Sequence, residues 1–198
     1  MENPVEEIKA VVHQLTATNS PDIQKAALES YMTSDVAFRH PVCSVNAGPN
    51  SRDTMLGIYQ WYRVLSPQIE IKVESIMFDS EKDVMILEGV QWFKLFFLPV
   101  KPMPARLIIR LTLRKQDGLY YISEQEDFYH PEDFAALLLP PIVPFVKFGL
   151  LASGTISGVL ARASHLLGWW TPGPNAHEVN GHVEPSEAAS EAGLYPDE

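Results

Sequence analysis

Residues 84–129 constrain the fold more than any other part of this sequence. They form three runs dense in β-branched, aromatic and leucine residues, separated by a Pro-rich segment and an Asp-Gly pair. The runs are VMILEGVQWFKLFFLPV, ARLIIRLTLRK and QDGLYYISEQEDFY. Runs of this composition, bounded by turn residues, predict three long antiparallel strands. In the middle run Arg106, Arg110 and Arg114 alternate with apolar residues. One face of the predicted sheet therefore lies in water and the other against an apolar interior.

The residues before this stretch predict helices that cover the sheet. Asn3-Pro4 and Ser20-Pro21 each combine an N-cap residue with proline at the first helical position, and apolar residues then recur at helical spacing. Residues 35–42 predict a short strand, which Pro41 places at a sheet edge or a strand end. A third helix opens at Ser51, and residues 68–78 alternate apolar and charged side chains as a half-buried strand does.

Together these elements predict an α+β fold. We expect a curved antiparallel sheet of four long strands plus a short one, wrapped around three N-terminal helices and followed by an apolar helical C-terminal segment.

The order of elements, with YMTSDVAFRHP early and SEQEDFYHPEDF closing the last strand, resembles the nuclear transport factor two-like superfamily. SigF-like domains of fungal proteins are the nearest resemblance, and SnoaL-like enzymes are more distant. The resemblance covers about residues 4–134 and implies a cone that encloses an apolar pocket between sheet and helices. Enzymes on this fold place Asp, His, Tyr or Glu on strands facing the pocket, whereas other members are binding modules, so the fold alone does not decide activity.

Three segments follow from this reading. Residues 1–134 are the expected cone domain, and residues 135–170 are an apolar helical segment broken by prolines. Residues 171–198 carry six acids and no Lys or Arg, with few large apolar side chains. Such a composition cannot offset the entropy of ordering and predicts a disordered tail.

His40 and Asp127 are the candidate catalytic residues. Tyr121, Ser123, Gln125 and Asp127 share one face of the last strand, but neither face is cleanly apolar, so the sequence leaves the inward face open. If Asp127 faces inward, an apolar cone disfavours its ionised form, and it could act as a general acid or base with His40 as its partner. Alternatively, His40 closes a strand and Asp127 caps a turn. No complete catalytic set of the family maps onto this chain.

The strands are rich in leucine, isoleucine and phenylalanine, which predicts a pocket for an apolar or lipid-like ligand. A filled core without a pocket is the alternative. The expected lining residues are Phe38, Tyr59, Tyr62, Trp92, Phe96, Ile109, Leu111 and Tyr121.

Several function classes are disfavoured. A net charge of −10, from 15 basic and 25 acidic residues, argues against a nucleic-acid-binding protein. We expect no metal, because His177 and His182 lack the spacing of a zinc helix, and no cofactor, because no glycine-rich phosphate loop is present.

The opening MENPVEEIK lacks the pattern of a signal peptide, and Cys43 is the single cysteine, so we expect an intracellular protein that is not secreted.

Residues 137–170 are the predicted membrane contact. The uncharged stretch from residue 148 to 161 would measure about 21 Å as a helix, whereas a spanning helix needs about 20 apolar residues. It could span only if Lys147 and Arg162 extend to opposite interfaces. A cover over the cone or a dimer interface is the alternative. The expected lipid-contacting residues are Phe148, Leu150, Leu151, Trp169 and Trp170.

Three hypotheses of function follow. The first is a membrane-associated cone that binds an apolar or lipid-like small molecule without a demonstrable catalytic set. The second is a SnoaL-like isomerase, dehydratase or cyclase in which His40 and Asp127 move protons on a small apolar substrate. The third is an interaction module that forms a homodimer through its sheet.

Overall fold

A computed structural model describes residues 1–169 of the chain. This part contains five α-helices, one short 3₁₀ turn and a six-stranded sheet with the order β2-β1-β6-β5-β4-β3. The helices are α1 (Pro4–Thr16), α2 (Pro21–Tyr31), α3 (Ser51–Leu65), α4 (Pro131–Leu138) and α5 (Val143–Leu166), with the 3₁₀ turn at Pro140–Ile142. The strands are β1 (Met32–His40), β2 (Cys43–Val45), β3 (Glu70–Asp79), β4 (Val84–Trp92), β5 (Pro104–Gln116) and β6 (Leu119–Phe128).

The predicted α+β class, with three N-terminal helices and an apolar C-terminal helix, is confirmed, but the sheet is mixed rather than wholly antiparallel. β1 is nine residues long and pairs in parallel with β6. Of the two positions predicted from Pro41, the sheet edge is therefore wrong for β1, and the strand end is confirmed. Pro41 ends β1, and the three-residue β2 folds back antiparallel to occupy the edge instead.

β4 is shorter than the sequence predicted, because it ends at Trp92 and residues 93–103 form a loop. The prolines near the tip lack N–H groups for a strand ladder. In place of strand pairing, the Phe96 backbone N–H donates to the Leu65 carbonyl at the end of α3 (2.9 Å), and the Lys94 N–H donates to Ser66 Oγ (2.9 Å). The loop is thus fixed against α3.

A β-bulge at Ser123 divides β6 into two phases. Leu113 pairs with Ile122 but Thr112 pairs with Glu124, so Ser123 is the extra residue, and its hydroxyl donates to the Thr112 carbonyl (3.0 Å). A bulge of this kind reverses which side chains face inward beyond it. Ile122 is buried before the bulge, and Gln125 is buried after it. This shift explains why neither predicted face of the strand was cleanly apolar.

The N-terminal helices and the sheet share the main core. Ile8, Leu28, Met55, Leu87 and Leu111 are buried there. Their burial closes one face of the sheet, and the alternation in β4 and β5 leaves the arginines on the other face.

A second apolar cluster brings α4 and the start of α5 into the folded cone. Its buried members are Ile69, Phe93 and Ala105 from the cone together with Ala135, Ala136, Leu137 and Val143. Consequently the compact unit extends from Met1 to Gly149, and the boundary predicted at residue 134 falls inside α4.

The second unit begins at Leu150, within α5. Its side chains within the described part are mostly exposed, including Leu150, Leu151 and Trp169. The predictions for Trp170 and for the tail at 171–198 concern residues outside the described part.

Candidate functional site

A cavity of about 70 Å³ lies inside the cone, between helices α1 and α3 and the concave face of the sheet. Its walls are mainly apolar. Of the side chains predicted from the sequence, Phe38, Tyr59, Tyr62, Ile109 and Leu111 line it, and so do both candidate catalytic residues, His40 and Asp127.

Trp92, Phe96 and Tyr121 do not line this cavity. Trp92 ends β4 between Gln91 and Phe93, which both line the cavity, so strand alternation turns Trp92 to the opposite side. Phe96 lies in the β4–β5 loop and is mostly exposed. Tyr121 precedes the bulge at Ser123, and therefore does not share the inward face of Asp127 as the simple alternation had predicted.

The parallel pairing of β1 with β6 brings His40 and Asp127 together. Phe38 pairs with Gln125, and Arg39 pairs with Glu126. The first pair is buried, whereas the Arg39 guanidinium meets the Glu126 carboxylate (3.6 Å) on the outer face. One step further along both strands, His40 and Asp127 return to the inner face and line the cavity. The alternative in which Asp127 caps a turn is not observed.

Asp127 belongs to a short chain of hydrogen bonds. The Tyr59 hydroxyl donates to Gln125 Oε1 (2.9 Å), and Gln125 Nε2 donates to Asp127 Oδ1 (2.9 Å). Burial raises the pKa of the Asp127 carboxyl to about 7, an effect that the Gln125 hydrogen bond partly opposes. Asp127 Oδ2 has no hydrogen-bond partner among residues 1–169.

His40 is surrounded by aromatic rings. The ring centroids of Tyr62 and Tyr129 both lie 5.6 Å from the imidazole, and Phe38 and Phe134 lie slightly further away. Burial lowers the pKa of His40 to about 4, so the ring is neutral at physiological pH. The Val42 N–H donates to Nδ1 (3.4 Å), so Nδ1 acts as an acceptor and the ring proton lies on Nε2.

Three tyrosines complete the polar part of the site. Burial raises the pKa of Tyr59, Tyr62 and Tyr129 above the usual tyrosine value, and the nearby Asp127 carboxylate raises each further. Their hydroxyls therefore stay protonated. The Tyr62 hydroxyl lies 3.3 Å from both His40 Nδ1 and Cys43 Sγ, and the Tyr129 hydroxyl donates to Gln91 Oε1 (3.1 Å).

Sequence reasoning gave Gln125 and Tyr129 no role, although both line the cavity. Gln125 lies two residues before Asp127, a spacing that places both side chains on the same face of a strand. This spacing was a usable signal. Tyr129 lies just past β6, where strand alternation no longer predicts direction.

Nothing in residues 1–169 brings three His, Cys, Asp or Glu side chains close enough together to hold a metal ion. The polar groups in the apolar wall of the cavity are one carboxyl, one neutral imidazole, two amides, three phenols and the Thr16 hydroxyl. These groups can accept, hold and donate protons.

A comparison with protein families decides the family of this chain. The SigF NTF2-like domain family, in which NTF2 denotes nuclear transport factor two, matches residues 1–169. The chain belongs to this family. The matched range includes α5 as well as the cone, so the apolar helix is part of the SigF NTF2-like domain. No curated protein matches the sequence.

Solved structures support the same fold. An NTF2-like protein of unknown function from Burkholderia pseudomallei is 9% identical, covers 70% of this chain and 99% of its own, and gives a TM-score of 0.53. An NTF2-like protein from Anabaena variabilis is 13% identical, covers 65% of this chain and 90% of its own, and gives a TM-score of 0.50. At these identities the likeness establishes the fold of the SigF NTF2-like domain and leaves its activity open.

Proposed function

We propose that this SigF NTF2-like domain binds a small apolar molecule with one polar group, and that Asp127 transfers a proton on it. One observation carries the proposal. The Asp127 carboxyl, with a pKa of about 7, shares an apolar cavity with the neutral His40. A group with a pKa near the working pH is suited to general acid–base catalysis, because both its forms are present.

The arrangement suits abstraction of a proton beside a carbonyl group. Asp127 Oδ2 would take the proton from carbon, and the electron pair of that C–H bond would move toward the carbonyl oxygen. The Nε2–H of His40 and the protonated tyrosines are the donors that could stabilise the resulting negative charge. Return of the same proton to another carbon completes an isomerisation without a co-reactant.

The size of the cavity favours a compact ligand. Its volume of about 70 Å³ is small beside the roughly 300–1,000 Å³ of typical small-molecule sites. A molecule near the size of a single ring fits this volume better than a lipid with a full acyl chain. We therefore favour a compact ligand over the lipid-like ligand expected from the sequence.

Deuterium exchange tests the proposed chemistry. The full chain is incubated in D₂O with cyclohexanone or cyclohex-3-enone, and exchange or isomerisation is followed by NMR. We expect Asp127→Asn to lower the protein-catalysed rate by about 10²–10⁴-fold. Glu126→Gln is the matched control, because Glu126 directly precedes Asp127 on β6 but lies on the outer face. Equal rates in the wild-type and Asp127→Asn proteins would refute the assignment.

We also propose that α5 holds the cone at an intracellular membrane. Residues Pro140–Leu166 form one helical stretch long and apolar enough to cross a bilayer. An 18-residue window within it has a mean hydropathy of 1.5, and 6% of that window is buried. At 100° per residue, the exposed Phe145, Leu150 and Leu151 point in three directions spread around the helix axis. A helix that is apolar on all sides suits lipid better than a one-sided protein interface.

Two hydroxyl side chains of α5 are compatible with this environment. The hydroxyls of Thr155 and Ser164 donate to the carbonyls of Leu151 and Leu160, four residues earlier (2.9 and 2.8 Å). Such bonds satisfy a hydroxyl within the helix, as a lipid environment requires.

Cell fractionation tests the membrane proposal. We expect the full chain to stay with the membrane pellet in alkaline carbonate and to dissolve in detergent. The double variant Leu151→Lys/Ile156→Lys should move to the soluble fraction, whereas Leu151→Ile/Ile156→Leu, which preserves hydropathy, should not. A full-length wild-type protein that is wholly soluble would refute this proposal.

A further inference from the structure

The end of the cone that is closed by the second apolar cluster carries many exposed apolar side chains. They come from three separate stretches of the compact unit Met1–Gly149: the end of α3, the β4–β5 loop, and the segment from the end of α4 into α5. We call this surface the rim. Its members are Trp61, Val64, Phe96, Phe97, Leu139, Ile142, Phe145 and Phe148.

The three stretches are held together by specific contacts. The β4–β5 loop is tied to the end of α3 by the bond from the Phe96 N–H to the Leu65 carbonyl. Leu65, Leu95 and Met103 pack against the same buried cluster as Val143 and Val146 of α5. The three stretches of the rim therefore rest on one apolar cluster.

Phe96 and Phe97 form an aromatic pair on the rim. They are 63% and 60% exposed, and their rings meet edge to face with centroids 5.2 Å apart. Two adjacent exposed phenylalanines on a loop stiffened by prolines keep apolar surface in water, which is costly unless another apolar phase covers it.

The charge of the rim is opposite to that of the chain. The stretches 61–69, 93–103 and 134–149 contain Arg63, Lys94, Lys101 and Lys147 and no acidic residue, although the chain as a whole carries −10. None of the three lysines forms an ion pair within the described residues. Exposed aromatic and aliphatic residues mixed with unpaired basic ones match the boundary of an anionic bilayer.

We propose that the rim docks the cone on a bilayer with anionic headgroups, with Phe96 and Phe97 inserted at the level of the acyl boundary. This inference goes beyond the proposed anchoring by α5, because it assigns membrane contact to a loop of the folded cone. It also rests on that proposal for the way the protein reaches the membrane. The cluster beneath the rim includes Phe93 and Leu137, which line the cavity, so docking sets the cavity beside the lipid.

An environment-sensitive label on the loop tests the docking. The full chain, with Cys43→Ser, receives a single cysteine by Phe97→Cys and is labelled with a nitrobenzoxadiazole dye. The labelled protein is reconstituted into vesicles of phosphatidylcholine alone or with 30% phosphatidylserine. We expect a blue-shifted emission and quenching by lipid-borne nitroxides at position 97, stronger with phosphatidylserine. Lys94→Gln/Lys101→Gln should reduce the shift by at least half.

Met77→Cys is the matched control, because Met77 is an exposed apolar residue of β3 and not of the rim. Its label should report water in both kinds of vesicle. A protein that floats with the vesicles while the label at 97 also reports water would overturn rim docking and leave the anchoring by α5 standing. A protein that does not float refutes both. A shift at 97 that depends on protein concentration without vesicles would assign the rim to a second copy of the chain instead.

Discussion

The pKa values of Asp127 and His40 are in the reverse of the order that is usual for a carboxyl and an imidazole. The pKa of the carboxyl is about 7 and that of the imidazole is about 4. Between these values the acid is protonated and the histidine is neutral, so neither group brings a charge into the apolar cavity. Burial alone accounts for this, since it disfavours the charged form of both residues. The site is consequently neutral at rest and becomes negatively charged only as the pH approaches 7.

Substitution of Asp127 by asparagine should stabilise the fold at high pH. A carboxyl whose folded pKa is raised from 3.8 to about 7 stabilises the fold below pH 3.8, and this stability is lost as the pH rises through 7. The loss amounts to at most about 4 kcal/mol. The asparagine side chain keeps the acceptor for Gln125 but cannot ionise, so we expect Asp127→Asn to be more stable than the wild type at pH 8 and similar at pH 4. Urea unfolding at both pH values measures this difference, and Glu126→Gln should show no such gain.

Gln125 tunes the acidity of Asp127. Its Nε2–H donates to Oδ1 and favours the carboxylate, so Gln125→Met should raise the Asp127 pKa above 7. A ¹³C NMR titration of the aspartate carboxyls measures this pKa directly. Gln91→Met is the matched control, because Gln91 lines the same cavity but accepts from Tyr129. An unchanged Asp127 pKa in the Gln125 variant would show that the amide does not donate to the carboxyl.

At the residue scale the sequence identified the two chemically interesting side chains but not their direction. His40 and Asp127 stood out because polar residues are rare in apolar strands. The inward direction of Asp127 depends on the bulge at Ser123, and the effect of a single extra residue depends on the partner strand. Simple alternation placed Tyr121 on the same face as Asp127, because the bulge that separates them cannot be recognised from the sequence.

At the scale of elements, one glycine shows how closely β3 and β4 approach. A Cβ at Gly89 would lie 3.0 Å from the Lys72 carbonyl oxygen, a backbone atom that cannot move aside independently. We expect Gly89→Ala to destabilise the fold by about 1–3 kcal/mol. Gly57→Ala is the opposite case, because Gly57 lies on α3 with open space around it, and it should stabilise by about 0.5–1 kcal/mol. Thermal unfolding of both variants tests this pair of predictions. Equal changes in melting temperature would contradict the close approach of β3 and β4 at Gly89.

Helix starts and strand periodicity were predictable because they depend on local chemistry. Pro4, Pro21 and Ser51 begin helices as expected, and the Asp117-Gly118 turn joins β5 to β6 with both residues at positive φ. The parallel pairing of β1 was not predictable, since it depends on contact between distant parts of the chain. The end of β4 was misjudged because residues 93–97 have strand-like composition but bond to α3 instead.

For the whole molecule, the compact unit should fold without the second half of α5. A chain ending at Gly149 retains both apolar clusters. We expect it to unfold cooperatively in mild detergent, with a melting temperature within a few degrees of that of the full chain, as measured by circular dichroism. A chain ending at residue 134 loses Ala135, Ala136 and Leu137 and exposes Phe93, so it should melt at a clearly lower temperature. Failure of the longer fragment to fold would show that residues beyond 149 stabilise the cone.

The predicted boundary at residue 134 followed the family resemblance, which gave no reason to continue the cone into an apolar segment. Hydropathy alone could not distinguish residues 135–146 from residues 150–166, because both are apolar and lack acidic residues. The difference is tertiary. The first part packs against Ile69, Phe93 and Ala105, whereas most side chains of the second part are exposed.

The parallel pairing of β1 and β6 also determines when the site forms during folding. Arg39 and Glu126 are neighbours in the sheet but lie 87 positions apart in the chain. Contacts of such long range carry a large loop-closure cost and form slowly compared with hairpins such as β5–β6. The two candidate catalytic residues therefore meet only when this late contact closes. Partly folded chains have no assembled site, and we expect the proposed binding and activity to return during refolding only with the native topology.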